Sequence, residues 1–448
     1  MDIITLISGL APYVTATTLH QMGVIITAIL AMTGRITMLG ISRWTEKGGS
    51  YRTVQRFFNT VLPWPLLFWV FFREHLYQPG TPYLLVGDEC VVSKAGKHTY
   101  GLERFFSSLY GKPIPGLAFF TLALVNTRAR QSHPLQVEQM LGAECGKAAP
   151  AKKTHKQNSP AAAKRPVGRP TGSKNRDKTQ VTLTPELQLI QTMIRKLLLL
   201  INALFQVQYL ALDGHFGNNN ALQMTLQCGL HMISKLRYDA ALYFPYTGPQ
   251  AKNGPRRKYG DKINYNCIPA RYLKHSEIDH DIRTDYYQAT LLHQAFAQPL
   301  NVVIIVKTHL KTGAHAHVIL FSSDLDLAYA SLVDYYCLRF QIEFDFRDAK
   351  QHWGLDDFMN VNAIPVTNAA NLSLFMVNVA QRLLLDFRQV RPHAGVLDLK
   401  AAFCGRKYVA ATLELLPQKP EPILLARIYQ QVSALGCIHP PKTLSNSP

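Results

Sequence analysis

The sequence lacks the features that mark zinc-binding, disulfide-stabilised and membrane-spanning proteins. Its seven cysteines are odd in number, scattered and never spaced as Cys-x2-Cys, which argues against a zinc ribbon or a disulfide framework and for reduced thiols. Apolar runs such as Val24–Met32 and Leu66–Phe72 are too short to span a bilayer. The N-terminus lacks the basic region that opens a signal peptide. We therefore expect a soluble cytoplasmic protein with no membrane partner.

Negative charge is also scarce. The chain has 29 Asp and Glu against 48 Lys and Arg, a formal net charge of +19. An excess of this size points to a polyanionic partner, most commonly nucleic acid, although a generically basic surface is the alternative. With 448 residues and 47% hydrophobic content, the chain is predicted to be globular, with room for two or three domains.

Residues 1–80 show hydrophobic spacing of three and four residues, interrupted by glycines, which predicts helices. Ser50 is a predicted N-cap for a helix over Tyr51–Phe58. Arg52 and Arg56 lie one turn apart on that helix and are candidate DNA contacts of a helix-turn-helix unit. An ordinary helical hairpin packed on the rest of the protein is the alternative.

A basic segment rich in Ala, Pro and Ser, at about 145–180, has too few large apolar residues to fold and is predicted to be a flexible surface insertion. Its centre, Arg-Pro-Val-Gly-Arg-Pro from Arg165 to Pro170, resembles an AT-hook. That resemblance implies that Arg165 and Arg169 contact the minor groove of A·T-rich DNA. A solvated charge run is the alternative.

Two apolar, strand-like runs each end in an aspartate. Tyr83–Gly87 precedes Asp88, and Val207–Leu212 precedes Asp213. Open sheets place ligand sites at strand ends, so both carboxylates are candidate site residues. Either aspartate alone is more typical of the start of a turn.

The most informative motif lies near residue 340. Tyr336, Arg339, Glu343 and Lys350 are spaced by three, four and seven residues, so on one helix, predicted from about Asp326 to His352, they share an arc of roughly 60°. Asp345 and Asp348 point away from this stripe by the same arithmetic. A stripe of unlike polar residues suits a metal ion beside a phosphate backbone better than it suits a core. The alternative is an i,i+4 ion pair between Arg339 and Glu343.

Asp88, Asp213 and Glu343 form a predicted ligand set of three carboxylates. Oxygen donors without histidine or cysteine suit Mg²⁺ or Mn²⁺. Two such ions could activate a water or a 3′-OH and stabilise the leaving oxygen of a phosphodiester.

The run Tyr336-x2-Arg339-x3-Glu343-x6-Lys350, with Asp88 and Asp213 in order before it, resembles the signature of one branch of DDE transposases from bacterial insertion sequences. The resemblance covers roughly residues 80–385. It implies an α/β fold with a ribonuclease-H-like mixed sheet, flanking helices and a β-rich insertion between the second and third acids. It also implies that Arg339 and Lys350 grip phosphates near the cleaved end and that Tyr336 positions the terminal nucleotide.

Relatives that cut through a DNA hairpin often stack a flipped base on a tryptophan of the insertion. All four tryptophans here lie outside residues 214–342. Tyr243, Tyr246 and Tyr259 are possible substitutes, so the hairpin step stays open. Lesser candidates for DNA contact are Lys94, Lys97, Arg104, His215 and Asn218.

The predicted organisation has five segments: a helical DNA-end-binding domain at 1–80, the first part of the core at 81–213, the β-rich insertion at 214–325, the catalytic helix and rest of the core at 326–390, and a helical region with a loose tail at 391–448. The predicted function is a nucleoid-associated transposase that binds transposon-end and target DNA, acting as a homodimer in the synaptic complex. The alternatives are a ribonuclease-H-like nuclease without strand transfer and a catalytically silent DNA-binding protein.

Overall fold

The computed structural model describes residues 2–45, 48–107, 111–141 and 177–439. The chain divides into two compact units, the first comprising Met1–Met140, Ile190–Asp213 and Val333–Pro448, and the second Leu141–Leu189 and Gly214–Leu332. Arg165 and Arg169 lie outside the described residues, as does most of the predicted basic segment. The five-segment domain division stays a prediction.

The described helices, in chain order, are α1 (Ile3–Leu6), α2 (Ala16–Ala31), α3 (Met38–Trp44), α4 (Tyr51–Asn59), α5 (Trp64–His75), α6 (Pro185–Ile201), α7 (Asn219–Gln227), α8 (Tyr329–Leu338), α9 (Gln341–His352), α10 (Ala363–Val390), α11 (Val396–Glu414) and α12 (Pro422–Val432).

The described strands are β1 (Tyr83–Ser93), β2 (Glu103–Ser107), β3 (Lys112–Asn126), β4 (Gln131–Met140), β5 (Tyr209–Leu212), β6 (His231–Leu236), β7 (Leu242–Pro245), β8 (Tyr259–Lys262), β9 (Leu273–Asp279), β10 (Ile282–His293), β11 (Leu300–His309) and β12 (His315–Ser322).

The sheet of the first unit is mixed. β3 pairs antiparallel with β1 along one edge and with β2 and β4 along the other. β1 also pairs with β5, and this pair is parallel. Apolar residues fill the middle of these strands, and Leu117–Val125 of β3 is buried throughout. The buried middle strands give the site a rigid base.

Helices α5, α9 and α10 pack against β4, and α9 also contacts β1. Polar side chains fix the N-terminal helices to α10: Trp64 Nε1 donates to Asn368 Oδ1 at 2.7 Å, and Asn368 Nδ2 donates to the carbonyl of Phe58 at 2.8 Å. Each of these buried groups is therefore satisfied by hydrogen bonding, which avoids a desolvation penalty.

The second unit is rich in antiparallel strands. β6, β12, β11 and β10 pair in that order, β9 and β7 both pair with β10, and β8 pairs with β7. Val302–Ile304 of β11 and Ile319–Phe321 of β12 are buried. The strand-rich character expected between the second and third acids is thus present in β11 and β12.

The predicted helix after Ser50 is confirmed as α4. The Ser50 hydroxyl accepts from the Thr53 N–H at 3.4 Å, as expected of an N-cap. Val54, Phe57 and Phe58 are buried on one side of α4.

The predicted single helix from Asp326 to His352 is wrong, because the chain forms two helices, α8 and α9, separated at Arg339 and Phe340. At this junction the backbone makes i,i+3 hydrogen bonds, from Phe340 N–H to the Cys337 carbonyl at 3.1 Å and from Glu343 N–H to the Phe340 carbonyl at 3.1 Å. Tighter bonding of this kind ends one helix and starts the next. The helical spacing of the side chains continues across such a turn, so the sequence pattern did not predict the break between the two helices.

The predicted end of the first strand is also wrong. β1 continues past Asp88 to Ser93, because all eleven of its residues find partners on β3, with Asp88 opposite Thr121. Asp88 therefore lies inside a strand, at the point where continuous burial gives way to alternation.

Among the described residues, one helix, α10, is long and apolar enough to cross a membrane. However, 83% of its most apolar stretch is buried inside the protein. Its contacts with β4, α4 and α5 make it a core helix of the first unit.

Candidate active site

The parallel pairing of β1 with β5 brings two carboxylates side by side. Gly87 of β1 is in register with Leu212 of β5. Asp88 and Asp213 each come one residue later, so they occupy neighbouring positions on adjacent strands, where strand spacing is about 5 Å. Gly87 has room for no side chain, since an added Cβ would lie 2.8 Å from the Phe120 ring and 2.9 Å from Leu212. The strands thus fit closely just before the two acids.

Helix α9 supplies the third carboxylate. Glu343 lies in its first turn, and Ile342, Asp345 and Ala349 of the same helix are buried. Asp88, Asp213 and Glu343 line one cleft of about 500 Å³. We call this the carboxylate cleft. The structure therefore brings together the three acids that the sequence singled out.

Arg339 connects two of these acids. Its Nη1 donates to Asp88 Oδ2, and its Nη2 lies 3.4 Å from Glu343 Oε1. The side chain of Arg339 is only 12% exposed. The i,i+4 ion pair considered as an alternative is therefore present, but Arg339 also has a strand carboxylate as partner, so the pair belongs to the cleft.

Burial raises the pKa of Asp88, and the neighbouring acids Asp213 and Glu343 raise it further. The Arg339 guanidinium and the N–H of Glu89 act in the opposite direction without cancelling the effect. A carboxyl group with a raised pKa in a cleft is typical of functional sites, where charges of one sign converge. A cation bound near Asp88 would favour the charged carboxylate and so lower its pKa.

Tyr336 and Lys350 complete the predicted stripe. The Tyr336 ring lies 5.8 Å from the Arg339 guanidinium, and its pKa is raised by burial and by the nearby Asp213 and Asp88. Lys350 lines the cleft, with its Nζ donating to the Val91 carbonyl at 2.8 Å. Lys350 therefore lines the cleft and Tyr336 lies beside Arg339, although α8 and α9 are separate helices.

Two charged residues that line the cleft were not predicted from the sequence. Arg347 and Glu89 line the cleft with the predicted residues. Arg347 lies four residues after Glu343, which places it on the same helical arc, so the spacing argument could have found it. Glu89 follows Asp88 directly and gave no signal beyond that.

Lys94, a lesser candidate for DNA contact, has a structural role instead. Its Nζ donates to the carbonyls of Asp356 and Phe358 at 3.1 and 2.9 Å and lies 3.5 Å from the Phe358 ring centre. Burial lowers its pKa to about 8. These bonds hold Lys94 against the chain rather than towards a ligand.

The other predicted DNA contacts are not in the carboxylate cleft. Arg52 and Arg56 are exposed on α4. Tyr246 stacks under the Arg257 guanidinium at 4.4 Å, and Tyr243 packs edge-on against Tyr259 at 5.4 Å. These tyrosines lie in and beside the β7–β8 pair of the second unit.

The donor set suits a hard divalent ion, since all three acids offer oxygen and line one cleft. Within the described residues, however, no group of three or more His, Cys, Asp or Glu side chains is arranged as a metal site. In this arrangement the Arg339 guanidinium lies between Asp88 and Glu343. The three acids therefore fit a divalent ion by their donor chemistry, with a guanidinium contacting two of them.

A family model described as DDE superfamily endonuclease matches residues 9–299, which is more than half of the chain. The chain belongs to this family. The match includes Asp88 and Asp213 and ends before α8 and α9, so the branch signature at Tyr336–Lys350 stays a prediction. No curated protein sequence matches the chain.

The architecture agrees with membership of the DDE superfamily endonucleases. It is a mixed α/β fold with a large mixed sheet and flanking helices. Endonucleases of this kind typically use divalent metals, which agrees with the oxygen-rich cleft. The family and the geometry together indicate a nuclease or transposase enzyme.

Proposed function

We propose that this DDE superfamily endonuclease is a transposase of a bacterial insertion sequence, which cuts phosphodiesters at the ends of its element and joins the 3′-OH ends to target DNA. The proposal rests on the carboxylate cleft. Three acids from separate elements line it together with two cations: Asp88, Asp213, Glu343, Arg339 and Lys350. The net charge of +19 supports DNA as the substrate.

We infer a ribonuclease-H-like core for the first unit. The antiparallel β4, β3 and β1, the parallel β1 and β5, and the helix carrying Glu343 support it. The antiparallel strands between Asp213 and Glu343 support a β-rich insertion. Both features would be expected of the transposase branch.

In this proposal Asp88, Asp213 and Glu343 hold two Mg²⁺ or Mn²⁺ ions, which when bound supply activation of a water or 3′-OH and stabilisation of the leaving oxygen. Arg339 exchanges its carboxylate partners for a DNA phosphate, to which a guanidinium can donate two parallel hydrogen bonds. Lys350 and Arg347 add positive charge at the same wall. Tyr336, beside Arg339, positions the terminal nucleotide.

Cleavage of end-containing DNA with Mg²⁺ or Mn²⁺ tests the assignment. Glu343→Ala is the variant, and Asp348→Ala is a matched control on α9, since Asp348 does not line the cleft. We expect cleavage by the wild type and the control and none by Glu343→Ala. Equal cleavage by Glu343→Ala would remove Glu343 from the mechanism.

Strand transfer separates the transposase from a nuclease. Paired ends, labelled target DNA and metal are incubated, and joined products are resolved on a denaturing gel. Joined products support the transposase, whereas cutting without joining when paired ends have formed supports the ribonuclease-H-like nuclease. Because joining needs two ends, we expect at least a homodimer on paired-end DNA, measured by light scattering.

The exposed arginines of α4 are proposed to bind the terminal inverted repeats. Removal of one phosphate contact reduces the salt slope of DNA binding by about one. We expect that reduction for Arg52→Ala and for Arg56→Ala. Gln55→Ala, on the same exposed face, is the control and should leave the slope unchanged.

A further inference from the structure

A second cleft of the first unit lies among the C-terminal helices and shares no lining residue with the carboxylate cleft. Its walls come from the end of α10, from α11 and from α12 and the turn after it. Its volume is about 810 Å³, within the range of small-molecule sites, roughly 300–1,000 Å³. We call it the arginine pocket, because Arg391, Arg406 and Arg427 line it.

Arg391 is the unusual member. It is 8% exposed, and its Nη1 is buried without a hydrogen-bond partner in the part of the chain that the structure describes. The ring of Phe387, 5.3 Å from the guanidinium, gives it only a weak cation–π contact. Burial of a charged donor with no acceptor is strongly unfavourable. An anion bound at this nitrogen would supply the missing acceptor.

The nearby acids have other partners. Asp386 also lines the pocket, but its Oδ1 accepts from Arg382 Nη1 at 2.7 Å. Asp398, on α11, accepts from the N–H of Gly395 at 2.9 Å and from the His439 ring at 2.8 Å. The charge left at the pocket is therefore positive, with Arg391 at its buried part and the exposed Arg406 and Arg427 nearer to solvent.

The rest of the lining is largely apolar and aromatic. Leu383, Leu399, Phe403 and Tyr429 contribute to it. A bare inorganic anion would leave that surface unused, whereas a nucleotide has a phosphate for the arginines and a planar base for the aromatic rings. Arginine is well suited to phosphate because its fork of N–H donors matches the oxygens.

We propose that the arginine pocket binds a phosphate-bearing nucleotide unit, with the phosphate on Arg391, Arg406 and Arg427 and the base against Phe403 and Tyr429. The unit is a segment of a DNA strand or a free nucleotide, which share this chemistry. The DNA form rests on the proposed action on DNA, while the free-nucleotide form does not.

The test compares Arg391→Met with Arg388→Met in the full-length protein. Both variants lose one positive charge of α10 or its C-terminal end, but Arg388 is exposed and does not line the pocket. Thermal unfolding is measured with and without a deoxynucleoside monophosphate, and inorganic phosphate serves as a second probe. DNA affinity is measured against salt concentration.

Without added nucleotide, Arg391→Met should unfold at a higher temperature than the wild type, because it removes an unpartnered buried charge. The nucleotide should raise the unfolding temperature of the wild type and of Arg388→Met, but not of Arg391→Met. If the ligand is DNA, Arg391→Met should also reduce the salt slope by about one more than the control does.

Nucleotide stabilisation with no difference in the salt slope supports the free-nucleotide form. A lower unfolding temperature for Arg391→Met, with nucleotide and DNA responses like those of the control, would show a structural role and overturn the proposal. A change in oligomeric state alone would assign the pocket to a second copy of the chain and overturn it too. None of these measurements requires cleavage, so failure of the transposase proposal would be seen separately.

Discussion

Two buried arginines of the first unit differ in what surrounds their guanidinium groups. Each has one buried nitrogen with no hydrogen-bond partner among the described residues, Nε of Arg339 and Nη1 of Arg391, but Arg339 also lies between the carboxylates of Asp88 and Glu343. A buried charge needs an opposite charge or a set of hydrogen bonds. In the carboxylate cleft one such arginine lies among three acids, which supports the proposed binding of a cation. In the arginine pocket three arginines line the walls, which supports the proposed binding of an anion.

The comparison also shows that burial of arginine alone does not identify a ligand. Arg339 and Arg391 are 12% exposed (side chain) and 8% exposed, respectively, yet their surroundings call for ligands of opposite sign. The sign follows from the partners that the fold supplies. Substitutions that remove or change those partners therefore test this difference between the two arginines.

The largest effect should come from Asp88→Asn. This change removes the charge of one proposed metal ligand and leaves Arg339 with a single charged carboxylate among its two partners. We expect the cleavage rate to fall by at least roughly a thousandfold, as for essential catalytic groups. Single-turnover cleavage with Mg²⁺ measures it, with Asp348→Asn as the control, and a rate close to that of the wild type would contradict the proposed role of Asp88.

The next effect concerns Arg339 in metal-free buffer. Arg339→Met leaves Asp88, 17% exposed, and Glu343, 40% exposed, without their guanidinium. Breaking a buried pair costs up to about 3–5 kcal/mol, and partial exposure reduces this, so we expect the free energy of unfolding to fall by about 2 kcal/mol. Urea unfolding in a chelator measures it.

Divalent ions sharpen this prediction. Mg²⁺ or Ca²⁺ should stabilise Arg339→Met more than the wild type, because the ion no longer competes with the guanidinium for Asp88 and Glu343. Arg130→Met, whose arginine is 51% exposed and pairs with Asp334 outside the cleft lining, is the control. If the ions stabilise all three proteins equally, Arg339 does not occupy the cation position.

Asp398, the buried acid of α11, has hydrogen-bond partners other than Arg391. Burial acts to raise the pKa of Asp398, but hydrogen bonds from Gly395, His439 and Ile438 outweigh it and lower the pKa to about 2. A lowered pKa means that the charged carboxylate stabilises the fold above its ordinary pKa of about 4. That contribution is lost as the pH falls through 2.

Asp398→Asn should therefore lower the free energy of unfolding by about 2 kcal/mol near pH 7 and by progressively less as the pH falls from 4 to 2. Unfolding at a series of pH values measures this difference, and Asp386→Asn, with a side chain 43% exposed, is the control. A difference that stays constant with pH would contradict the assignment. If Arg391→Met shows the same loss of pH dependence as Asp398→Asn, the two residues interact, and Arg391 already has a carboxylate partner.

Local patterns in the sequence predicted much of this molecule. The capped helix after Ser50 and the strand before Asp213 follow from residue spacing and capping, which act over a few residues. The three acids could also be predicted from the sequence. Asp88 and Asp213 each follow an apolar strand-like run, and Glu343 belongs to a motif with helical spacing.

Features that depend on long-range contacts were beyond that reach. Arg339 pairs with Asp88, 251 residues away, and this pairing lies beside the break between α8 and α9. β1 extends past Asp88 because β3 offers partners for the whole strand. The arginine pocket likewise exists only through the packing of three helices, and Arg391 has no distinguishing local pattern.

The smallest effect should come from Asp345, a buried acid on α9 with no cation partner among the described residues. Burial raises its pKa well above the ordinary value of 3.8, and its Oδ2 has no hydrogen-bond partner in the described structure. An acid with a raised pKa stabilises the fold fully only below its ordinary pKa, and that contribution is lost as the pH rises towards the raised value.

Asp345→Asn carries no charge at any pH, so its unfolding temperature relative to the wild type should rise steadily as the pH is increased from 4 to 9. Asp348→Asn, three residues further along α9 and paired with Arg347, should show no such increase. Equal pH dependence in the wild type and Asp345→Asn would mean that a cation already compensates Asp345, as Arg339 compensates Asp88. The uncharged amide tests this directly: an acid buried without a cation is stable in the fold only while it keeps its proton.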